Sequence, residues 1–167
     1  MKLLLCCNVA LGYVKNIGPF YCPESKKVCD NIIKLSEEVD VTLFINDEHI
    51  PCDPEFDYLP PHMIEGDHDC LRIYTIERRI KSEFYFLRKN FLSAIKSQHN
   101  RDIYMGMCPT TTILGGFLCS YDILATAMDV IQSNHKVEIY KDACGDVDAA
   151  TKERAIGILG WMGIPIL

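Results

Sequence analysis

Residues 2–7, KLLLCC, are apolar after the first position, with no polar residue alternating among them. An unbroken run of this length fits a strand covered on both faces, the place of a central strand in a parallel sheet. Further β-rich runs follow at 40–46 (DVTLFIN), 82–89 (SEFYFLRK), 110–117 (TTTILGGF) and 136–142 (KVEIYKD), and the chain closes on IPIL, 164–167. Between them lie stretches with helical spacing: 24–37, where Val28, Ile32, Ile33 and Leu35 make one apolar side, then 92–106, about 121–133, and 148–163. Strands that alternate with helices build βαβ units. The expectation is a single three-layer α/β/α domain over 1–167, with a mostly parallel sheet of about six strands.

In open sheets of this kind, ligands bind outside the carboxyl ends of the strands. Asn8, Asp47, Lys89 and Asp122 each fall just past a predicted strand end and are expected to converge on one rim.

Bulk properties narrow the partners. The net charge is −6 and no basic run occurs, which argues against nucleic-acid binding. No apolar stretch is long enough to span a bilayer, so no membrane partner is expected. MKLLLCC has the flavour of a secretory start, but Asn8 interrupts it at once, and a buried first strand is the better reading. The nine cysteines include no C-x-x-C pair, and Cys6 and Cys7 are adjacent in the apolar run. They read as small buried hydrophobes in a reduced, cytoplasmic chain rather than a disulfide framework or a zinc cage.

Residues 47–75 form a long polar segment with four prolines. Loops of that length inside a compact domain carry function or disorder. Asp47 and His49 stand two apart, and His62 follows thirteen later. One carboxylate and two imidazoles suit zinc or a similar first-row divalent ion, and three protein ligands leave a position open for water or substrate. On spacing alone, a solvated polar loop explains the same residues.

A resemblance decides between these readings. DEHIPCDPEF followed by LPPHMIEG resembles the metal-binding segment of the nicotinamidase/isochorismatase-like cysteine hydrolases, in which Asp-x-His, a later Phe and Pro-x-His-x-x-x-Gly recur. The matching residues here are Asp47, His49, Phe56, Pro60, His62 and Gly66. The resemblance implies a divalent metal held by Asp47, His49 and His62, zinc first, with iron or manganese as alternatives. It covers nearly the whole chain. KNFLSAI is similar to the family's lysine segment and puts Lys89 at the catalytic lysine. LLLCCNVALGYV is similar to the first strand and puts Asn8 where the family has a catalytic Asp, with Tyr13 soon after. The family pattern Gly-x-x-Thr-Asp-x-Cys-Val, anchored on Thr126, Ala127 and Asp129, puts Gly116 at the glycine and Asp122 at the nucleophilic cysteine. A rival register through Gly106 would put Thr112 there, with Cys108 nearby, but it breaks the match at LATAMD.

The implied Asp–Lys–Cys triad therefore stands here as Asn8, Lys89 and Asp122. Asn8 cannot take a thiol proton, and Asp122 has no sulfur, so the ordinary cysteine mechanism is not expected. Tyr13 and Tyr121 are expected to line the pocket and contact substrate. Two readings follow. One is a metal-dependent hydrolase of a small amide or related molecule, with Asp122 as base. The other is a non-catalytic relative whose Asp122–Lys89 pair fills the old pocket, with Asp122 also capping its helix, and which binds a small ligand or a partner chain. The resemblance also implies a homo-oligomer.

Overall fold

The structure is a computed structural model that describes all 167 residues. Five parallel strands, β1 (Lys2–Cys7), β2 (Val41–Asp47), β3 (Glu83–Lys89), β4 (Thr111–Gly116) and β5 (Val137–Cys144), lie in the order β3-β2-β1-β4-β5. The helices are α1 (Leu11–Val14), α2 (Ser25–Leu35), α3 (Tyr74–Glu77), α4 (Gln98–Met107), α5 (Leu124–Gln132) and α6 (Ala149–Trp161).

The strand pleat sends successive side chains to opposite faces. Leu3, Leu5 and Cys7 join the core built with Tyr104 of α4, Val130 of α5 and Leu159 of α6. Leu4 and Cys6 join the other core, with Tyr13 of α1, Ile32 of α2 and Ile76 of α3. Two buried faces explain why β1 reads as unbroken apolar sequence and why every residue of β2 is buried. Helices on both sides make the three-layer α/β/α class.

The sheet has five strands where the sequence suggested about six. Ile139 makes a single parallel bridge to Ile166, and the segment 165–167 is tied to β5 by Ile139 N–H to Pro165 O at 2.9 Å and Leu167 N–H to Ile139 O at 2.8 Å. IPIL is too short, with Pro165 lacking a donor, to extend this into a strand. Helix α4 also starts later than the 92–106 periodicity indicated. Ser97 is its N-cap, accepting from Asn100 N–H at 3.2 Å, and the residues before it turn instead.

The chain runs from β1 outward to β2 and β3, then returns past β1 to β4 and β5. The connections therefore diverge between β1 and β4, which opens a crevice at their carboxyl ends. Gly116 closes β4 at φ +101°, and a Cβ there would lie 2.0 Å from Cys7 O. Only glycine lets the two strand ends approach this closely. No helix is long and apolar enough to cross a membrane.

Candidate active site and metal centre

Four strand ends deliver the polar side chains. Asn8 follows β1 in a left-handed conformation, φ 56°, while Asp47 ends β2 and Lys89 ends β3. After β4 the chain makes a five-residue π-type turn, Cys119–Ile123, that carries Asp122 inward before α5 begins. All four residues are buried.

Their hydrogen bonds form one network. Lys89 Nζ donates to Asp122 Oδ1 at 2.6 Å and also to Asp47 Oδ1. Asp47 Oδ2 accepts from Asn8 Nδ2 at 2.7 Å and from the Tyr13 hydroxyl at 2.7 Å. The Asp47 amide donates to Asn8 Oδ1 at 2.8 Å. Asp122 Oδ2 accepts from Leu118 N–H at 3.0 Å. Asn8 therefore meets Asp47 rather than Lys89 or Asp122, and joins them through it. Asp122 binds back to the turn before it and does not cap α5, whose N-terminus has no side-chain cap. Cys108 lies away at the exposed end of α4, and Thr112 is bonded to Tyr104 at 2.8 Å.

One ammonium thus serves two carboxylates. Burial drives the Asp122 carboxyl up to about 7, with Lys89 opposing and Asp47 reinforcing the rise. Burial also acts on Asp47, but there Lys89 and the bonds from Lys89 and Tyr13 win, and its carboxyl stays below the usual range. Lys89 is held protonated: burial alone would lower its pKa, and the charges of Asp122 and Asp47 raise it instead.

Asp47 also belongs to a second group. His49 Nε2 lies 3.9 Å from Asp47 Oδ1 and His62 Nε2 lies 3.8 Å from Asp47 Oδ2. The ligand atoms of these three buried residues all fall within 4.8 Å of one another. Each histidine is oriented through its other nitrogen, His49 Nδ1 by Asp53 Oδ2 at 3.0 Å and His62 Nδ1 by Pro60 O at 2.9 Å. That arrangement puts the proton on Nδ1 and the lone pair of Nε2 toward Asp47, as second partners do around metal-ligating histidines. Burial lowers the His62 pKa, which keeps the ring neutral. His49 Nε2 is buried without any hydrogen-bond partner. A buried orphan nitrogen is costly unless something occupies its lone pair. The donor set fits a first-row divalent ion.

The crevice between these groups is nearly filled. Tyr13, Phe20, His62, Leu118, Tyr121 and Asp122 line a cavity of about 10 Å³, room for roughly one water. Tyr121 lines it while 39% exposed, and Tyr13 does so with its hydroxyl committed to Asp47. Three contributors carried no sequence signal strong enough to single them out. Phe20 packs edge-on to His62, with ring centroids 4.7 Å apart. Glu55 faces His62 Nε2 at 3.9 Å, its carboxyl pushed up by burial. Asp53 orients His49 from four residues on, a spacing that marks it only once His49 is known to be a ligand.

The side chain that closes this network after β4 is the Asp122 carboxylate, not a thiol. All nine cysteines are free thiols. Burial pushes Cys7 and Cys29 up to about 12 and lifts Cys6 as well, the reverse of what a thiolate needs.

A three-layer fold with a polar crevice at the strand ends and an Asp-His-His group beside it defines an α/β/α domain whose candidate site lies at the carboxyl edge of the sheet. The isochorismatase domain matches residues 2–167, and the chain belongs to the isochorismatase family. The same fold recurs in the pyrazinamidase/nicotinamidase from Streptococcus mutans UA159, with 20% identity, a TM-score of 0.85 and 100% of each chain covered. It recurs in the pyrazinamidase of Pyrococcus horikoshii in complex with zinc, at 17% identity, TM-score 0.80, over 99% of this chain and 98% of that one. PnC1 from L. infantum in complex with nicotinate is similar at 16% identity and TM-score 0.81, over 100% of this chain and 92% of that one. No curated protein sequence matches the chain.

Proposed function

We propose that this protein is a metal-dependent hydrolase of a small amide or related carbonyl compound that works without a cysteine nucleophile. The observation that carries the reading is the orphan His49 Nε2, buried and facing Asp47 beside His62. Asp47, His49 and His62 would hold the ion, zinc in the first instance, the metal present in the complex of the Pyrococcus horikoshii pyrazinamidase. A bound divalent ion would supply Lewis acidity and a more acidic water.

The chain's own groups then have distinct tasks. Asn8 and Tyr13 hold the Asp47 carboxylate in place through Oδ2. Asp122, with its carboxyl near neutrality, accepts a proton from the attacking water and returns it to the leaving nitrogen. The new C–O bond forms as the C–N bond breaks, giving a carboxylic acid and an amine. Lys89 stays protonated and steadies Asp122 as its charge changes. Phe20 and Tyr121 exclude water from the crevice. A small planar ligand is consistent with the nicotinate complex of the L. infantum relative, and a homo-oligomer is part of the same reading.

A second reading rests on a different observation. Both oxygens of Asp122 are already satisfied, by Lys89 and the Leu118 amide, and the cavity is almost closed. That arrangement supports a non-catalytic relative whose pocket is sealed by its own side chain. Assay against a panel of small amides, nicotinamide included, with and without added zinc, separates the two. Zinc-dependent release of amine that is lost in Asp122→Asn supports the hydrolase, and no turnover on any member supports the sealed pocket.

A further inference from the structure

The sheet has two edges, and the chain treats them differently. The β5 edge is covered by the 165–167 segment, through Ile139 N–H to Pro165 O at 2.9 Å, Leu167 N–H to Ile139 O at 2.8 Å and Lys141 N–H to Leu167 O at 3.0 Å. The β3 edge has no such cover. Lys89 O accepts from Glu48 N–H at 2.8 Å, so the odd-numbered residues of β3 bond toward β2 and the even-numbered ones turn their N–H and C=O outward. Arg88 O is taken by Asn100 Nδ2 at 2.9 Å. The outward groups of Phe84 and Phe86 have no backbone partner.

We propose that this edge joins a second copy of the chain, β3 to β3 and antiparallel, about a two-fold axis at Tyr85. The pairing rests on the homo-oligomer of the proposed function and names its surface. In a two-fold antiparallel ladder outward groups must meet outward groups, so the axis passes through a residue and not between two. With the axis at Tyr85, Phe84 faces the partner's Phe86 and Phe86 faces the partner's Phe84. Each of these pairs exchanges two N–H to O=C bonds, and the four bonds satisfy the free Phe84 and Phe86 groups of both copies. An axis at Phe86 would set Phe84 against Arg88, whose carbonyl Asn100 already holds. An axis at Phe84 would set Phe86 against Ser82, outside the strand.

The side chains also select a second copy. Open edges are ordinarily blunted by proline, a bulge or charge. β3 has neither proline nor bulge, its register with β2 runs unbroken, and Phe84 to Leu87 are four uncharged residues in a row. Phe84 and Tyr85 point to opposite faces and are 37% and 45% exposed, which leaves both faces open at the axis. Pairing sets Phe84 beside the partner's Phe86 and extends the ring cluster of Phe44, Phe84 and Phe86. On the other face Tyr85 meets the partner's Tyr85. Glu83 and Arg88 flank the apolar run, and only the antiparallel sense sets the acidic end of one strand against the basic end of the other. Because the β5 edge is already covered, the assembly closes at two copies.

Sedimentation of the full chain over a concentration series reads the assembly. The wild type is expected to dimerise. Tyr85→Lys sets two ammonium groups opposite each other at the axis and is expected to weaken dimerisation at least about tenfold. Cross-linking reads the register independently of whether Tyr85→Lys folds. In a Cys52→Ser/Cys108→Ser background, which removes the exposed thiols, Tyr85→Cys is expected to form a disulfide-linked dimer on mild oxidation. Phe84→Cys, which lies two positions from its own copy in this ladder, is expected to form far less. A wild type that stays monomeric would overturn the homo-oligomer reading and this pairing together. A wild-type dimer that a folded Tyr85→Lys leaves intact, or a Tyr85→Cys chain that cross-links no better than Phe84→Cys, would overturn the β3 pairing alone.

Discussion

Asn8 Nδ2 donates to Asp47 Oδ2 at 2.7 Å, and the Asp47 amide donates back to Asn8 Oδ1 at 2.8 Å. This reciprocal pair uses both ends of the asparagine amide, and a carboxylate at position 8 could supply only one of them. The family resemblance puts a carboxylate at position 8 and a neutral thiol at position 122, whereas this chain has a neutral amide and a carboxylate. The charge around Lys89 is therefore conserved while its location changes.

That exchange predicts non-additivity. Asn8→Asp alone sets three buried carboxylates around one ammonium and is expected to destabilise the chain by about 2–4 kcal/mol. Adding Asp122→Cys to the same chain returns the count to two and should recover much of that loss. Urea denaturation of the four proteins in a double-mutant cycle measures the coupling. Additive losses would show that the two positions do not compensate.

Lys89→Met removes the only cation between Asp47 and Asp122. The expected cost is about 3–5 kcal/mol, the range for stranding a buried charge. Lys89→Met/Asp122→Asn should be clearly more stable than Lys89→Met. A Lys89→Met protein as stable as wild type would mean the network carries no net charge interaction.

The site and the fold differ in how far the sequence reveals them. Strands buried on both faces announce themselves as continuous apolar runs, so β1 and β2 were visible directly. Strand ends then place Asn8, Asp47 and Lys89 on one rim by topology alone. The 164–167 run looked like a sixth strand because apolar composition does not distinguish a strand from a three-residue edge contact. Asp122 was locatable by register, but its bond to Leu118 N–H depends on the π-type turn, which no periodicity encodes. Phe20 sits in a Gly- and Pro-punctuated stretch and reaches His62 only through the tertiary fold.

Asp122 should also impress a pH dependence on stability. Its folded value, about 7, lies above the ordinary carboxyl value of 3.8, so the folded chain keeps a proton that the unfolded chain loses. Stability from this group is fully present below the unfolded value and is lost as pH rises toward the folded one. Asp47 and Lys89 are shifted outward and change little in that window. The difference in unfolding free energy between wild type and Asp122→Asn is expected to move in favour of the variant from pH 5 to pH 8. A flat difference would place the Asp122 carboxyl at its ordinary value.

Thiol chemistry should be dispensable. The cysteines whose acidity the fold alters are moved upward, and the position resembling the nucleophile is Asp122. Alkylation of the exposed Cys52 and Cys108 with iodoacetamide is expected to leave any amide turnover unchanged. Loss of turnover in proportion to modification of a single cysteine would restore a thiol mechanism.

The central claim is that Asp47, His49 and His62 hold a divalent ion, and metal analysis by mass spectrometry tests it most directly. The protein is loaded with zinc, passed through a desalting column and assayed beside His49→Ala treated identically. The account predicts close to one equivalent of zinc per chain in the wild type and almost none in the variant. A wild type that retains no metal, or a His49→Ala protein that retains as much, would contradict it.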